Sequence, residues 1–158
     1  MSDWLSPNPP DIADPLYSTK KRGNRIEKTW VSIYRNIYLS FNKNNLNKFT
    51  TEFLEEANEF LGKLDIKSAS KLLYIIDVAE HKNDPRLFKK VRGEIWEFRS
   101  KYLGKQNRLL AFWDKTGKIE TLVIATHGFV KKTKKIPTKE IDKAERIRQK
   151  YFYNKLKS

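Results

Sequence analysis

The sequence predicts an α+β domain: one antiparallel sheet with a helical hairpin ahead of it and a helix after it. Three observations carry the prediction. Apolar residues recur at helical spacing through two adjacent segments between 48 and 80. The period then changes to two between 95 and 126, with turn residues at regular intervals. A third helical pattern follows Pro137 and Thr138.

Taken in order, residues 1–25 hold four of the six prolines (Pro7, Pro9, Pro10 and Pro15) and a basic knot, Lys20-Lys21-Arg22. Such a segment resists regular structure, so it is expected to be an arm outside a domain of residues 26–158. Aromatic and β-branched residues fill 30–41, where Ile37, Leu39 and Phe41 alternate with Asn36, Tyr38 and Ser40. This predicts a first strand, followed by a loop over 42–47. Phe49, Phe53, Leu54, Ala57, Phe60, Leu61 and Leu64 predict a helix over 48–61 that ends near Gly62. Asp65 is a good N-cap for a second helix with the stripe Ile66, Ala69, Leu72, Leu73, Ile76 and Ala79, stopped at Asn83-Asp84-Pro85. The short link makes the two a hairpin.

Beyond Gly93, Trp96, Phe98 and Tyr102 alternate with Glu97, Arg99 and Lys101, a half-buried strand whose tryptophan belongs to the core. Gly104 marks a turn, and 108–113 makes a second strand that brings Trp113 to the core. Lys115-Thr116-Gly117 marks another turn before a third strand over 119–126. Ile141, Ala144, Ile147, Tyr151 and Phe152 describe the last helix.

The 158 residues carry 33 Lys and Arg against 19 Asp and Glu, a formal net charge of +14. Such a charge draws polyanions, of which nucleic acid is the first expectation; an anionic membrane or acidic protein satisfies the same arithmetic. With no cysteine, disulfides, thiolate nucleophiles and cysteine zinc sites are excluded. No signal pattern opens the chain, and its apolar runs fall far short of the ~20 residues of a membrane span, so a cytoplasmic protein making no membrane contact is expected.

The densest chemical signal is Thr126-His127-Gly128-Phe129-Val130-Lys131-Lys132-Thr133-Lys134-Lys135-Ile136-Pro137, with no acidic residue between His127 and Glu140. A run of this kind is ordinarily a solvated basic loop; here it adjoins a histidine that can exchange a proton near neutral pH. There are no paired carboxylates, P-loop glycines or His-rich spacings, so neither a metal nor a cofactor is expected.

Arg92-Gly93-Glu94-Ile95-Trp96-Glu97-Phe98-Arg99 resembles the Gly-Leu-Trp-Glu-Leu-Arg strand of HigB-like toxins in the RelE/ParE superfamily. Asn107-Arg108-Leu109-Leu110-Ala111-Phe112 resembles that family's Tyr-Arg-Val-Leu-Tyr-Phe strand, with Asn107 in place of Tyr. His127 to Thr133 matches its His-Gly-Phe-Val-Lys-Lys-Thr element. The likeness spans 38–153 and leaves the N-terminal extension outside. It implies a RelE-type sheet with a helical hairpin on one side. It also implies the toxin of a type II toxin–antitoxin system in a bacterial cytoplasm: an endoribonuclease, or mRNA interferase, cutting messenger RNA in the ribosomal A site. The partner implied is an antitoxin, expected to be a helix-turn-helix protein.

Metal-independent RNA cleavage needs a base for the 2′-OH, cations for the phosphorane and an acid for the leaving 5′-oxygen. Arg99 and Arg108, on adjacent strands, suit phosphate oxygens if their face is open; Arg99 could equally pair across the sheet. His127, at a strand end, is the natural acid or base, or else a structural histidine. Lys131 and Lys132 divide transition-state charge and backbone binding, while Lys101, Lys134 and Lys135 are expected to bind RNA. Phe129 stacks on a base or joins the core, and Tyr102 is a further proton carrier. His81 is read as structural, at a helix end. A gyrase inhibitor of the same superfamily, acting by binding, and a non-catalytic RNA-binding domain are the alternatives.

Overall fold

The computed structural model describes residues 48–82, 84–116 and 122–158. The expected arm at 1–25, the strand at 30–41, the loop at 42–47 and the start of the strand expected from 119 lie outside the described residues, as do Asn83 and Gly117.

The described chain is α+β. Its elements run β1 (Thr50–Phe53), α1 (Glu55–Lys63), α2 (Ile66–His81), β2 (Phe88–Arg92), β3 (Ile95–Tyr102), β4 (Lys105–Asp114), β5 (Leu122–Lys131) and α3 (Thr138–Lys157). The strands form one sheet in the order β1-β5-β4-β3-β2. Strands β2 to β5 are antiparallel neighbours, but β1 pairs parallel to β5, so the sheet is mixed rather than purely antiparallel.

The helix expected over 48–61 begins only at Glu55. Phe49, Phe53 and Leu54 fit a helical stripe, but Thr50-Thr51 are β-branched and the edge of β5 is available to pair with them. The buried Thr51 donates its backbone N–H to the Glu80 carboxylate at 2.8 Å, and the Leu54 amide reaches the Ala125 carbonyl at 3.0 Å. Asp65 caps α2 as expected, accepting from the Ser68 amide at 2.9 Å and its hydroxyl at 2.7 Å. At the other end His81 Nδ1 donates to the Asp77 carbonyl at 2.7 Å, a structural role.

Strand β2 was not anticipated. Its Lys89, Lys90 and Arg92 break any apolar alternation, yet cations are a usual device for keeping an edge strand from pairing with another chain. Strand β5 runs on to Lys131, so His127 lies inside a strand instead of at its end.

The two faces of the sheet differ. The α1–α2 hairpin covers the first, where Phe88 and Phe98 stack at 4.3 Å and Trp96 meets Trp113 edge-on at 5.9 Å. Gly128 lies under this hairpin; a Cβ there would fall 2.0 Å from the Phe60 ring, so α1 can seat on β5 only over a glycine. Helix α3 crosses part of the second face, burying Ile141 and Ala144 against Ile95, Leu110, Phe112 and Ile124. Its far end is fixed by Asp114, which is fully buried and accepts from Thr116, Tyr151 (2.8 Å) and Lys155 (2.5 Å). Burial alone would raise the Asp114 carboxyl, but these donors hold it well below the usual carboxylate range. Among the described residues no helix is long and apolar enough to cross a membrane.

Candidate functional site

Side chains of paired residues in an antiparallel sheet share a face, so the register alone assembles the site. On the second face, rows run across β3, β4 and β5. Lys101, Gln106 and Lys131 form one, Arg99, Arg108 and Phe129 the next, and Glu97, Leu110 and His127 the third. A β-bulge at Leu110/Ala111 keeps the phase, taking Thr126 out of the ladder and leaving His127 opposite Leu110. The row beyond, Ile95, Phe112 and Ile124, is the apolar floor beneath α3.

Six residues named from the sequence are thus brought onto one face: Arg99, Lys101, Arg108, His127, Phe129 and Lys131. Tyr102 belongs to the opposite face by its pairing with Lys105. Lys132, Lys134 and Lys135 are exposed in the loop that leaves β5 beside this grid.

The face is less open than the alternation suggested. Arg108 is 4 % exposed and His127 likewise, whereas the Arg99 side chain is a third exposed. Strand alternation assigns a face but cannot say what covers it; here α3 packs on the adjoining apolar floor and sets Glu140 against His127.

Glu97 is the residue whose pairing with both arginines the sequence reading did not foresee. Its carboxylate, 3 % exposed, lies 3.1 Å from Arg108 Nε and 3.5 Å from Arg99 Nε. Neither contact has hydrogen-bond alignment, so these buried donors and the Glu97 Oε2 acceptor retain unused capacity. Arg108 spends its other nitrogens on the Asn107 carbonyl and Gln106 Oε1. Burial, followed by the repulsion of Arg99, lowers the Arg108 pKa against the pull of Glu97. Two guanidiniums on one carboxylate leave one positive charge, and its outlet is Arg99. The signal for Glu97 was present in the alternation, since an acid two residues from an arginine on a strand shares its face.

His127 is held at both nitrogens, Nδ1 to Thr126 Oγ1 at 3.2 Å and Nε2 to Glu140 Oε2 at 3.2 Å. Glu140 stands in the first turn of α3. Burial pushes the imidazole pKa below its ordinary value, helped by Lys143 and opposed by Glu140 and Glu56. Lys143 is itself ion-paired to Glu56 of α1. The ring is therefore favoured in its neutral form. Across the sheet it stands two strands from Glu97, about 10 Å by the usual strand spacing.

Among the described residues no group of three His, Asp or Glu is placed to hold a metal ion. The face offers a guanidinium, a row of lysines and a neutral imidazole around a partly shielded floor, which is equipment for binding a phosphodiester and moving a proton beside it.

A family model described as phage derived protein Gp49-like (DUF891) matches residues 59–149, a stretch from α1 through most of α3 that contains every residue of the grid. No curated protein and no solved structure matches the chain.

Proposed function

Because the chain belongs to the Gp49-like (DUF891) family, within the RelE/ParE-like superfamily of toxin–antitoxin toxins, we propose that it is a HigB-like endoribonuclease that cuts messenger RNA on translating ribosomes. Family membership implies an antitoxin partner; we take this to be a helix-turn-helix protein that silences the toxin in a bacterial cytoplasm. The observation that carries the nuclease reading is the half-satisfied Arg99–Glu97–Arg108 group, with Glu97 in the row of His127 and the two arginines in the next.

In this reading the scissile phosphate meets Arg99, and Lys131 adds charge from the next row. Arg108, buried behind, fixes the position of Glu97 and hence of Arg99. The neutral His127, once Nε2 is released from Glu140, accepts the 2′-OH proton as the 2′-oxygen attacks phosphorus. The bond to the 5′-oxygen then breaks, that oxygen taking a proton from water to leave as a 5′-hydroxyl, and a 2′,3′-cyclic phosphate remains. Lys101, Lys132, Lys134 and Lys135 hold neighbouring phosphates. Single strands can also stack on Phe129, and Tyr102, on the other face, is left with backbone binding only.

The test is cleavage of a ribosome-free message by the purified protein in excess EDTA, with the ends mapped, since chelation would also dissociate ribosomes. Cyclic or 3′-phosphate ends are expected. Arg99→Ala should cut ~10²–10³-fold more slowly while keeping its melting temperature, because a preorganised charge donor typically contributes that much and Arg99 reaches solvent. Activity that vanishes with EDTA and returns with magnesium rejects the mechanism. Growth arrest with intact messages and inhibited gyrase transfers the assignment to the binding-only toxins of the superfamily.

A further inference from the structure

The turn joining β3 to β4 consists of Leu103 and Gly104, closed by the Tyr102–Lys105 pair. Both residues have positive φ, +44° at Leu103 and +75° at Gly104. Two-residue hairpin turns of this hand favour Asn or Asp followed by Gly. A leucine in the left-handed region is uncommon and strained, and strain of this kind persists where something other than stability maintains it. Leu103 is also 82 % exposed, so the side chain contributes nothing to the core. A large apolar group is held out into water by a backbone that disfavours it.

Its surroundings select the ligand. At this end of the sheet Lys101 and Lys105 flank the turn, and Gln106 pairs with Lys131, where the loop carrying Lys132, Lys134 and Lys135 begins. Asp65 reaches across to Lys105 at 3.9 Å. An apolar tip at a sheet end that carries lysines on neighbouring strands fits a polyanion with apolar interior surfaces, and single-stranded nucleic acid is the polyanion so built. Side chains of this type, leucine among them, enter between base steps and unstack them while cations hold the flanking phosphates.

We propose that Leu103 is a base-contacting wedge: the β3–β4 turn inserts it between two bases of the bound RNA strand while Lys101 and the loop lysines grip the backbone. The wedge fixes which phosphate arrives at Arg99, two residues down β3 from Lys101. The inference rests on the RNA-cutting reading of the same face and adds to it a positioning residue that no lysine or arginine supplies.

Stability and RNA affinity should move in opposite directions on substitution. Leu103→Asn and Leu103→Gly, which accept the turn geometry, should each raise the melting temperature by a few degrees. Each should weaken binding of a short fluorescein-labelled single-stranded RNA about tenfold. Leu103→Met, keeping the apolar reach, should bind within about twofold of wild type. With 2-aminopurine in the strand, wild type should brighten the base by unstacking it, and the Asn and Gly variants should not. Wild type that neither binds nor cuts the RNA overturns the nuclease reading and this inference together. Wild type that binds, with Leu103→Asn binding as tightly or brightening the base as fully, overturns the wedge alone. A fall in melting temperature for both Asn and Gly shows that the turn is not strained, and overturns it as well.

Discussion

One sheet presents two faces of opposite design. Under the α1–α2 hairpin, Phe49, Phe88, Phe98, Trp96 and Trp113 interlock with ring centroids 4.3–6.4 Å apart, and burial is taken up by apolar contact. On the other face the same strands bury Glu97, Arg108 and His127. Burying charge without full pairing costs free energy, whereas burying aromatic rings supplies it. The first face therefore stabilises the fold and the second draws on that stability. The aromatic residues are what makes the buried charge tolerable.

The largest effect expected from this contrast is on the aromatic face. Phe98→Ala removes a fully buried ring in contact with Phe88 and should cost about 3–5 kcal/mol, measurable by denaturant unfolding. A cost below about 1 kcal/mol would mean that the hairpin does not hold the sheet as described.

Next in size is the carboxylate on the other face. Glu97→Ala strands two guanidiniums, one of them 5 % exposed, and should destabilise by about 3 kcal/mol. Adding Arg108→Met removes the stranded charge, so the double variant should recover part of the loss; cleavage should not recover, because Arg99 is still unheld. If the two costs simply add, Glu97 and Arg108 are not coupled. If cleavage returns with stability, Glu97 does not position Arg99.

The contact between the faces is thinnest at Gly128, which carries α1 on one side while His127 and Phe129 project to the other. Gly128→Ala places a methyl against the Phe60 ring and should cost about 1–3 kcal/mol, recovered in part by Phe60→Leu. Equal melting temperatures for wild type and Gly128→Ala would show that α1 yields easily.

Much of the aromatic face was legible in the sequence. Trp96 and Phe98 alternate with Glu97 and Arg99, Gly104 lies in the β3–β4 turn, Asp65 caps α2, and Ile141, Ala144, Tyr151 and Phe152 describe the buried side of α3. What escaped depended on pairing between distant segments. Phe49 and Phe53 fit helical spacing, and only the edge of β5, some seventy residues on, turns Thr50–Phe53 into a strand. Phe88 is the single buried residue of a cationic strand, too little to register as a period. The composition of the second face was legible from alternation, but its closure was not. Nothing in the spacing reveals that α3 lies over it and sets Glu140 against His127.

That contact supports the smallest and most diagnostic prediction. His127 is held below its ordinary pKa, about 6.5 when unperturbed, first by burial and then by Lys143; Glu140 and Glu56 pull the other way without prevailing. As the pH falls through that ordinary value, the unfolded chain takes up a proton that the folded chain resists. The unfolded state is then favoured, so His127 contributes stability above about pH 6.5 that is lost on acidification through the lower folded pKa. His127→Gln has no such proton to take up. Between about pH 7.5 and 5.5 the wild-type melting temperature should therefore fall further than that of the variant, the other titrating groups being common to both. Glu140→Gln should widen the wild-type drop, because it removes the partner that favours the imidazolium. Parallel curves for wild type and His127→Gln would mean that the surroundings of the imidazole do not resist its protonation.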